Sequence, residues 1–113
     1  MPSIQEIGVK LLEGAAISFG KDWGTIESYA RTEFQKMAIQ LADIADNVAQ
    51  YELDNSKGYS PETGKALIRM QRNACESVFV AMTHLTLVAV QNMLDEVFSS
   101  LRSAFGGTFS KIL

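Results

Sequence analysis

The sequence predicts an all-α protein: a long antiparallel helical hairpin plus a shorter N-terminal helix, in a single domain spanning residues 1–113. Three observations predict this class. Beyond residue 19, glycine and proline occur only within residues 20–24, 58–64 and 106–107, which leaves two long stretches without helix breakers. Apolar residues in the first stretch recur every three or four positions. A hydrophobic content of 47% is too high for a disordered chain, so we expect these helices to pack together.

The first helix is expected over residues 4–19, where Ile4, Ile7 and Leu11 share one side of a helix. The glycines at positions 20 and 24 then form a hinge. At about 1.5 Å per residue, this helix is about 24 Å long, close to the length by which the third predicted helix exceeds the second. We therefore expect the first and second helices to pack in series along the third.

The second helix, expected over residues 25–56, has the sharpest periodicity in the chain. Its apolar positions are spaced alternately by four and three residues, which is the a/d pattern of a helix-packing seam. We expect the helix to end just before Gly58, which can adopt the left-handed conformation of a helix cap. The seam consists of Ala30, Phe34, Met37, Leu41, Ile44, Val48 and Tyr51.

The third helix is expected over residues 61–105, followed by a C-terminal tail at 106–113. Ser60 can cap its first amides, Pro61 suits the first helical position, and Glu62 favours the positive end of the helix dipole. These three residues together predict a helix start directly after the turn of the hairpin.

Residues 78–90, in the middle of this third helix, are apolar on every side apart from two threonines and one histidine. Their alternating β-branched side chains leave a buried strand as the alternative. We favour a helix because no partner strand is predicted elsewhere, and an unpaired strand cannot satisfy its backbone hydrogen bonds.

The sequence predicts no catalytic, cofactor-binding or metal-binding residues. A di-iron bundle needs Glu-x-x-His pairs on two helices, whereas His84 is the one histidine and Ala81 stands three residues before it. A zinc site needs several histidine or cysteine ligands, and Cys75 is the one cysteine. We expect His84 to be partly buried and bonded to a neighbouring helix, and Cys75 to behave as a small buried hydrophobe. We therefore expect neither an enzyme nor a small-molecule substrate.

The net charge and the positions of the charged residues indicate which binding partners and which cellular location to expect. A formal net charge of −3 argues against nucleic-acid binding, which needs clustered lysine and arginine. Glu6, Lys10 and Glu13 interrupt the apolar run of the first twenty residues, so no secretory signal peptide is expected. These observations favour a cytoplasmic location, with membrane association as the alternative.

The apolar residues exceed what a slender hairpin can bury. A helix that is apolar all round must be enclosed by protein or lipid, and large apolar patches are uncommon on monomers. We therefore expect homo-oligomerisation to complete a helical bundle. Its expected interface comprises Phe34, Met37, Leu41, Ile44, Val48, Val78, Met82, Leu85, Val88, Phe105 and Phe109.

The leading functional expectation is a non-enzymatic, self-associating structural, scaffold or adaptor protein. The first alternative is a membrane-active helical protein, because residues 77–94 form 18 consecutive uncharged positions. Six of these positions are polar, which weighs against contact with lipid. The second alternative is an inhibitor or chaperone-like module that presents an apolar groove to a protein partner.

Overall fold

The computed structural model describes residues 2–113, and regular structure in this range is helical. Ser3 caps the first helix through a reciprocal pair of hydrogen bonds with Glu6. A short 3-10 turn, Gly20–Asp22, joins the first two helices. The prediction of an all-α protein is confirmed. The α-helices are α1 (Ile4–Phe19), α2 (Trp23–Leu53), α3 (Pro61–Met82), α4 (Leu87–Phe105) and α5 (Gly107–Ile112).

Helices α1 to α4 form an antiparallel four-helix bundle that extends 45 × 21 × 20 Å. Each neighbouring pair in the sequence packs side by side, and α4 closes the arrangement against α1. Ser18 Oγ donates to the backbone oxygen of Met93 at 2.8 Å, which fixes the register between α1 and α4. Thus α1 lies diagonally across the bundle from α3, and α2 lies across from α4.

The prediction of one continuous helix over residues 61–105 was wrong, because the chain turns between α3 and α4. Thr83 Oγ1 donates to the backbone oxygen of Phe79 at 2.8 Å and accepts from the amide of Leu85 at 3.1 Å. Thr86 Oγ1 then accepts from the amide of Ala89 at 3.1 Å and caps α4. The two threonine hydroxyls therefore accept from the amides of Leu85 and Ala89, which would bond to backbone oxygens in a continuous helix.

The expected serial packing of the first two helices along the third was also wrong. Because α4 turns back, it lies beside α1, and α1 packs between α2 and α4. A Cβ atom added to Gly14 of α1 would lie 3.6 Å from the Cα atom of Val97 in α4. The small residue on α1 thus allows the two backbones to approach closely.

The turn between α2 and α3 forms as the sequence predicts, although α2 covers residues 23–53 instead of 25–56. Gly58 has a φ of +59°, and a Cβ atom there would lie 1.9 Å from the backbone oxygen of Asn47. Ser60 and Pro61 then start α3 as expected. A glycine is required at position 58 both by its conformation and by this contact.

The predicted C-terminal tail contains the short helix α5, which packs on α2 and α3. Phe109 and Ile112 are buried there, and Lys111 forms an ion pair with Glu52 of α2. A Cβ atom on Gly64 of α3 would lie 3.0 Å from Ile112 Cγ2. Gly64 therefore makes room for α5 at this end of the bundle.

Candidate functional site

Most of the predicted interface residues lie inside the chain's own core. The seam of the second helix faces α1 and α3 of the same molecule, and Phe109, a residue of α5, is buried in the core. The bundle thus uses most of the apolar surplus that the sequence analysis assigned to other copies. The buried members of the set are Phe34, Met37, Leu41, Ile44, Val48 and Phe109.

The remaining predicted interface residues reach the surface to different extents. Val78, Leu85 and Phe105 are partly buried against the core. Met82 and Val88, which flank the α3–α4 turn, are 49% and 65% exposed. Only these two of the predicted residues can offer substantial apolar surface to a partner without opening the bundle.

A different apolar surface lies between α1 and α2. It is a groove of about 600 Å³, and we call it the α1–α2 groove. Two small residues, Gly8 and Ala38, face each other across it: a Cβ atom on Gly8 would lie 3.8 Å from Ala38 Cβ. The groove is lined by Ile4, Gln5, Gly8, Val9, Leu12, Arg31, Gln35 and Ala38.

The lining of the α1–α2 groove is almost free of charge. Arg31 is its one charged residue, and Arg31 Nη2 lies 2.9 Å from Glu27 Oε1 on the same helix. Val9 is 54% exposed and also borders a second hollow beside Phe105. Val9 thus forms an apolar ridge between two concave surfaces.

A polar network connects α3 with α4 on the opposite side of the bundle. Arg72 Nε donates to Glu76 Oε1 at 2.9 Å, and Arg72 Nη2 lies 2.7 Å from Asp95 Oδ1. Arg72 Nη2 also donates to the backbone oxygen of Gln91 at 2.8 Å, and the guanidinium lies over the ring of Phe98. Glu76 is 5% exposed, so the arginine supplies the charge and hydrogen bonds that its burial requires.

Beside this network, α3, α4 and α5 enclose a cleft of about 370 Å³, which we call the α3–α4 cleft. The sequence does not by itself reveal this cleft, although positions 65, 69 and 72 have the spacing of one basic helix face. Its position could not be inferred while α3 and α4 were taken as one helix. The lining comprises Lys65, Ile68, Arg69, Arg72, Asp95, Phe98, Arg102, Ile112 and Leu113.

His84 occupies the α3–α4 turn and is exposed. The prediction of a partly buried histidine was therefore wrong, because the turn carries residue 84 outside the helix packing. Residues 2–113 contain no group of three or more histidine, cysteine, aspartate or glutamate side chains arranged to hold a metal ion. Over the same range, no helix is both long and apolar enough to cross a membrane.

Cys75 is buried in α3 at 1% exposure. Removal from solvent raises the pKa of its thiol from 9.0 to about 12, and the charges of Glu33 and Glu76 act in the same direction. The buried thiol is therefore a poor nucleophile at neutral pH.

This pKa predicts a loss of stability at alkaline pH. The unfolded chain releases the thiol proton near pH 9.0, whereas the folded chain retains it to about pH 12. The unfolded state therefore binds fewer protons in this window, and stability falls as pH rises. Near pH 10, we expect the thiol to lower the free energy of unfolding by on the order of 1 kcal/mol relative to neutral pH.

Urea denaturation of the wild type and Cys75→Ala from neutral pH to about pH 10 checks this prediction. The variant loses core contacts at every pH and is therefore less stable throughout. The informative quantity is how the difference in free energy of unfolding between the wild type and the variant changes with pH. We expect the wild type to lose more stability than the variant. Parallel pH profiles would contradict the raised pKa.

Comparisons with protein-family models, curated proteins and solved structures find no match to this chain.

Proposed function

We propose that this chain is a non-enzymatic scaffold or adaptor protein that self-associates through the α1–α2 groove. The observation that supports the proposal most directly is an apolar, nearly uncharged concave surface bordered by the exposed side chain of Val9. Contact with a second copy would remove Ile4, Val9 and Leu12 from water, and burial of apolar surface favours association.

The absence of strong charge favours a second copy as the occupant of the groove. In a twofold-symmetric contact, each surface meets the same surface of its partner, so a patch of one charge sign would repel itself. The groove avoids this cost because Arg31 pairs with Glu27. By contrast, the lining of the α3–α4 cleft has four cationic side chains against one carboxylate side chain and is poorly suited to self-pairing.

The small residues of the groove also favour close packing between copies. Gly8 and Ala38 carry little side-chain volume, so a ridge of the partner can approach the backbone of α1 and α2. Val9 projects beside the groove and supplies such a ridge. The two features are complementary, and a twofold axis would place the Val9 ridge of each copy near the groove of the other.

Sedimentation velocity over a range of micromolar concentrations tests the proposal. We expect the wild type to dimerise, and Val9→Glu to weaken dimerisation at least about tenfold because it places two like charges in an apolar contact. Val88→Glu is the matched control, since it changes another exposed valine that lies on α4.

Both variants change solvent-exposed positions, and circular dichroism verifies that each remains folded. Dimerisation of Val88→Glu at the wild-type concentration supports the groove as the interface. A wild-type protein that is monomeric throughout the range contradicts the proposal. Equal weakening by both substitutions would also contradict it, because the contact would then include the α3–α4 end of the bundle.

A further inference from the structure

The α3–α4 cleft combines an apolar interior with a cationic rim. Ile68, Phe98 and Ile112 are buried side chains that line it. Its volume of about 370 Å³ lies within the range of small-ligand pockets. A ligand with an apolar portion could therefore displace water from a surface that three helices hold in place.

Two cationic side chains on the rim, Lys65 and Arg69, are available to an anion. Within residues 2–113, Lys65 and Arg69 form no ion pair, whereas Arg72 is engaged by Glu76 and Asp95, and Arg102 Nη1 donates to the oxygen of Leu113 at 3.4 Å. Asp95 is the one carboxylate side chain of the lining. A chain with a net charge of −3 thus concentrates positive charge at this cleft, where it attracts anions.

We propose that the α3–α4 cleft binds a small amphipathic anion with a carboxylate or phosphate head group on a short apolar chain. The head group is held by Lys65 and Arg69, whose charged donors suit either oxyanion. The apolar chain lies along Phe98 and Ile112. Arg72 keeps its bonds to Glu76 and Asp95 and acts as a fixed wall of the cleft.

The structure explains how such a site would be assembled. Residues 65 and 69 lie one helical turn apart on α3, so their side chains project to the same side. The α3–α4 turn brings Phe98 against this side, and α5 adds Ile112. The binding site therefore depends on the α3–α4 turn and on the packing of α5.

Isothermal titration calorimetry with octanoate, octyl phosphate, octanol and acetate tests the proposal. Octanol lacks the charge, and acetate lacks the chain. We expect octanoate or octyl phosphate to bind at least about tenfold more tightly than either control, because only these probes use both parts of the cleft. Amide chemical shifts in nuclear magnetic resonance spectra should change at Phe98 and Ile112.

Lys65→Gln/Arg69→Gln is expected to weaken binding of the preferred anion by about tenfold or more. Lys21→Gln/Lys57→Gln is the matched control, because it removes two positive charges from exposed positions outside the cleft. Thermal unfolding verifies that both variants fold.

Weaker anion binding by Lys65→Gln/Arg69→Gln, without a similar loss in Lys21→Gln/Lys57→Gln, supports the site. Equal losses in both variants would indicate an effect of net charge and would overturn it. Tighter binding of octanol than of both anions, or chemical-shift changes confined to other faces, would also overturn it.

Discussion

Phe79→Ala is expected to lower the free energy of unfolding by about 3–5 kcal/mol. Phe79 is fully buried, and its ring centroid lies 5.6 Å from that of Phe19 and 5.7 Å from that of Phe34, both in edge-to-face geometry. It therefore connects α3 to both α1 and α2 at the end of the bundle next to the α3–α4 turn. Truncation would leave a cavity and remove two aromatic contacts at once.

Urea denaturation measures this loss. Met70→Ala is the control on the same helix, because Met70 is 65% exposed and should change stability by less than about 1 kcal/mol. If Phe79→Ala and Met70→Ala destabilise the protein equally, α3 does not pack against α1 and α2 through Phe79.

Arg72→Met is the second substitution with a large expected effect, at about 3 kcal/mol. The methionine preserves most of the apolar stem but removes the guanidinium that bonds Glu76 and Asp95. Glu76, which is almost fully buried, would keep only the long 3.4 Å bond from Gln91 Nε2. The cost therefore comes mainly from an unpaired buried carboxylate.

The double variant Arg72→Met/Glu76→Leu separates this cost from lost packing. We expect it to be more stable than Arg72→Met, because the unpaired carboxylate is gone and apolar replacements of buried ion pairs are often tolerated. Arg69→Met provides the control for loss of an exposed arginine on the same helix. Chemical denaturation at neutral pH checks all three proteins. A double variant less stable than Arg72→Met would contradict the account.

The sequence predicts helices wherever the local chemistry is sufficient. The first helix covers the expected residues 4–19 because its apolar spacing and the cap at Ser3 agree. The start of α3 is also predicted, since Ser60 and Pro61 act within one turn of the chain. Gly58 is recognised as the turn residue because few other residues adopt its positive φ. These caps and turns are determined by residues that are close in the sequence, so they can be predicted without information on tertiary contacts.

The α3–α4 turn could not be predicted from breakers alone. Thr83 and Thr86 stop and restart the helix through side-chain hydrogen bonds, while the surrounding sequence favours a continuous helix. The turn is stabilised because it returns Val90, Leu94 and Val97 to the core beside α1. This burial favours the turn over a continuous helix, and the spacing of apolar residues along the chain does not reveal it.

The missed turn also explains why the predicted interface differs from the candidate surfaces. With α3 and α4 taken as one rod, residues such as Leu41 and Val48 have too few neighbours in their own chain. With the rod folded, these residues form the core of the bundle. The apolar groove on α1 and α2 and the cationic cleft between α3 and α4 remain as surfaces, and both depend on helix packing.

The most direct test of the proposed self-association is a distance between copies across the α1–α2 groove. A nitroxide attached at Gln35→Cys, in a Cys75→Ala background, reports from the groove by double electron–electron resonance. Facing helices pack about 8–10 Å apart, so we expect the two labels at position 35 to lie close together compared with labels on the outer sides of the dimer.

A label at Ser99→Cys, on the exposed side of α4, serves as the comparison. Each bundle is about 20 Å across, so the α4 labels of a groove-mediated dimer should be separated by roughly 40 Å or more. A short distance at position 35 and a long one at position 99 is the predicted result. The absence of a distance between copies at position 35, or a shorter distance at position 99, would contradict assembly through the groove.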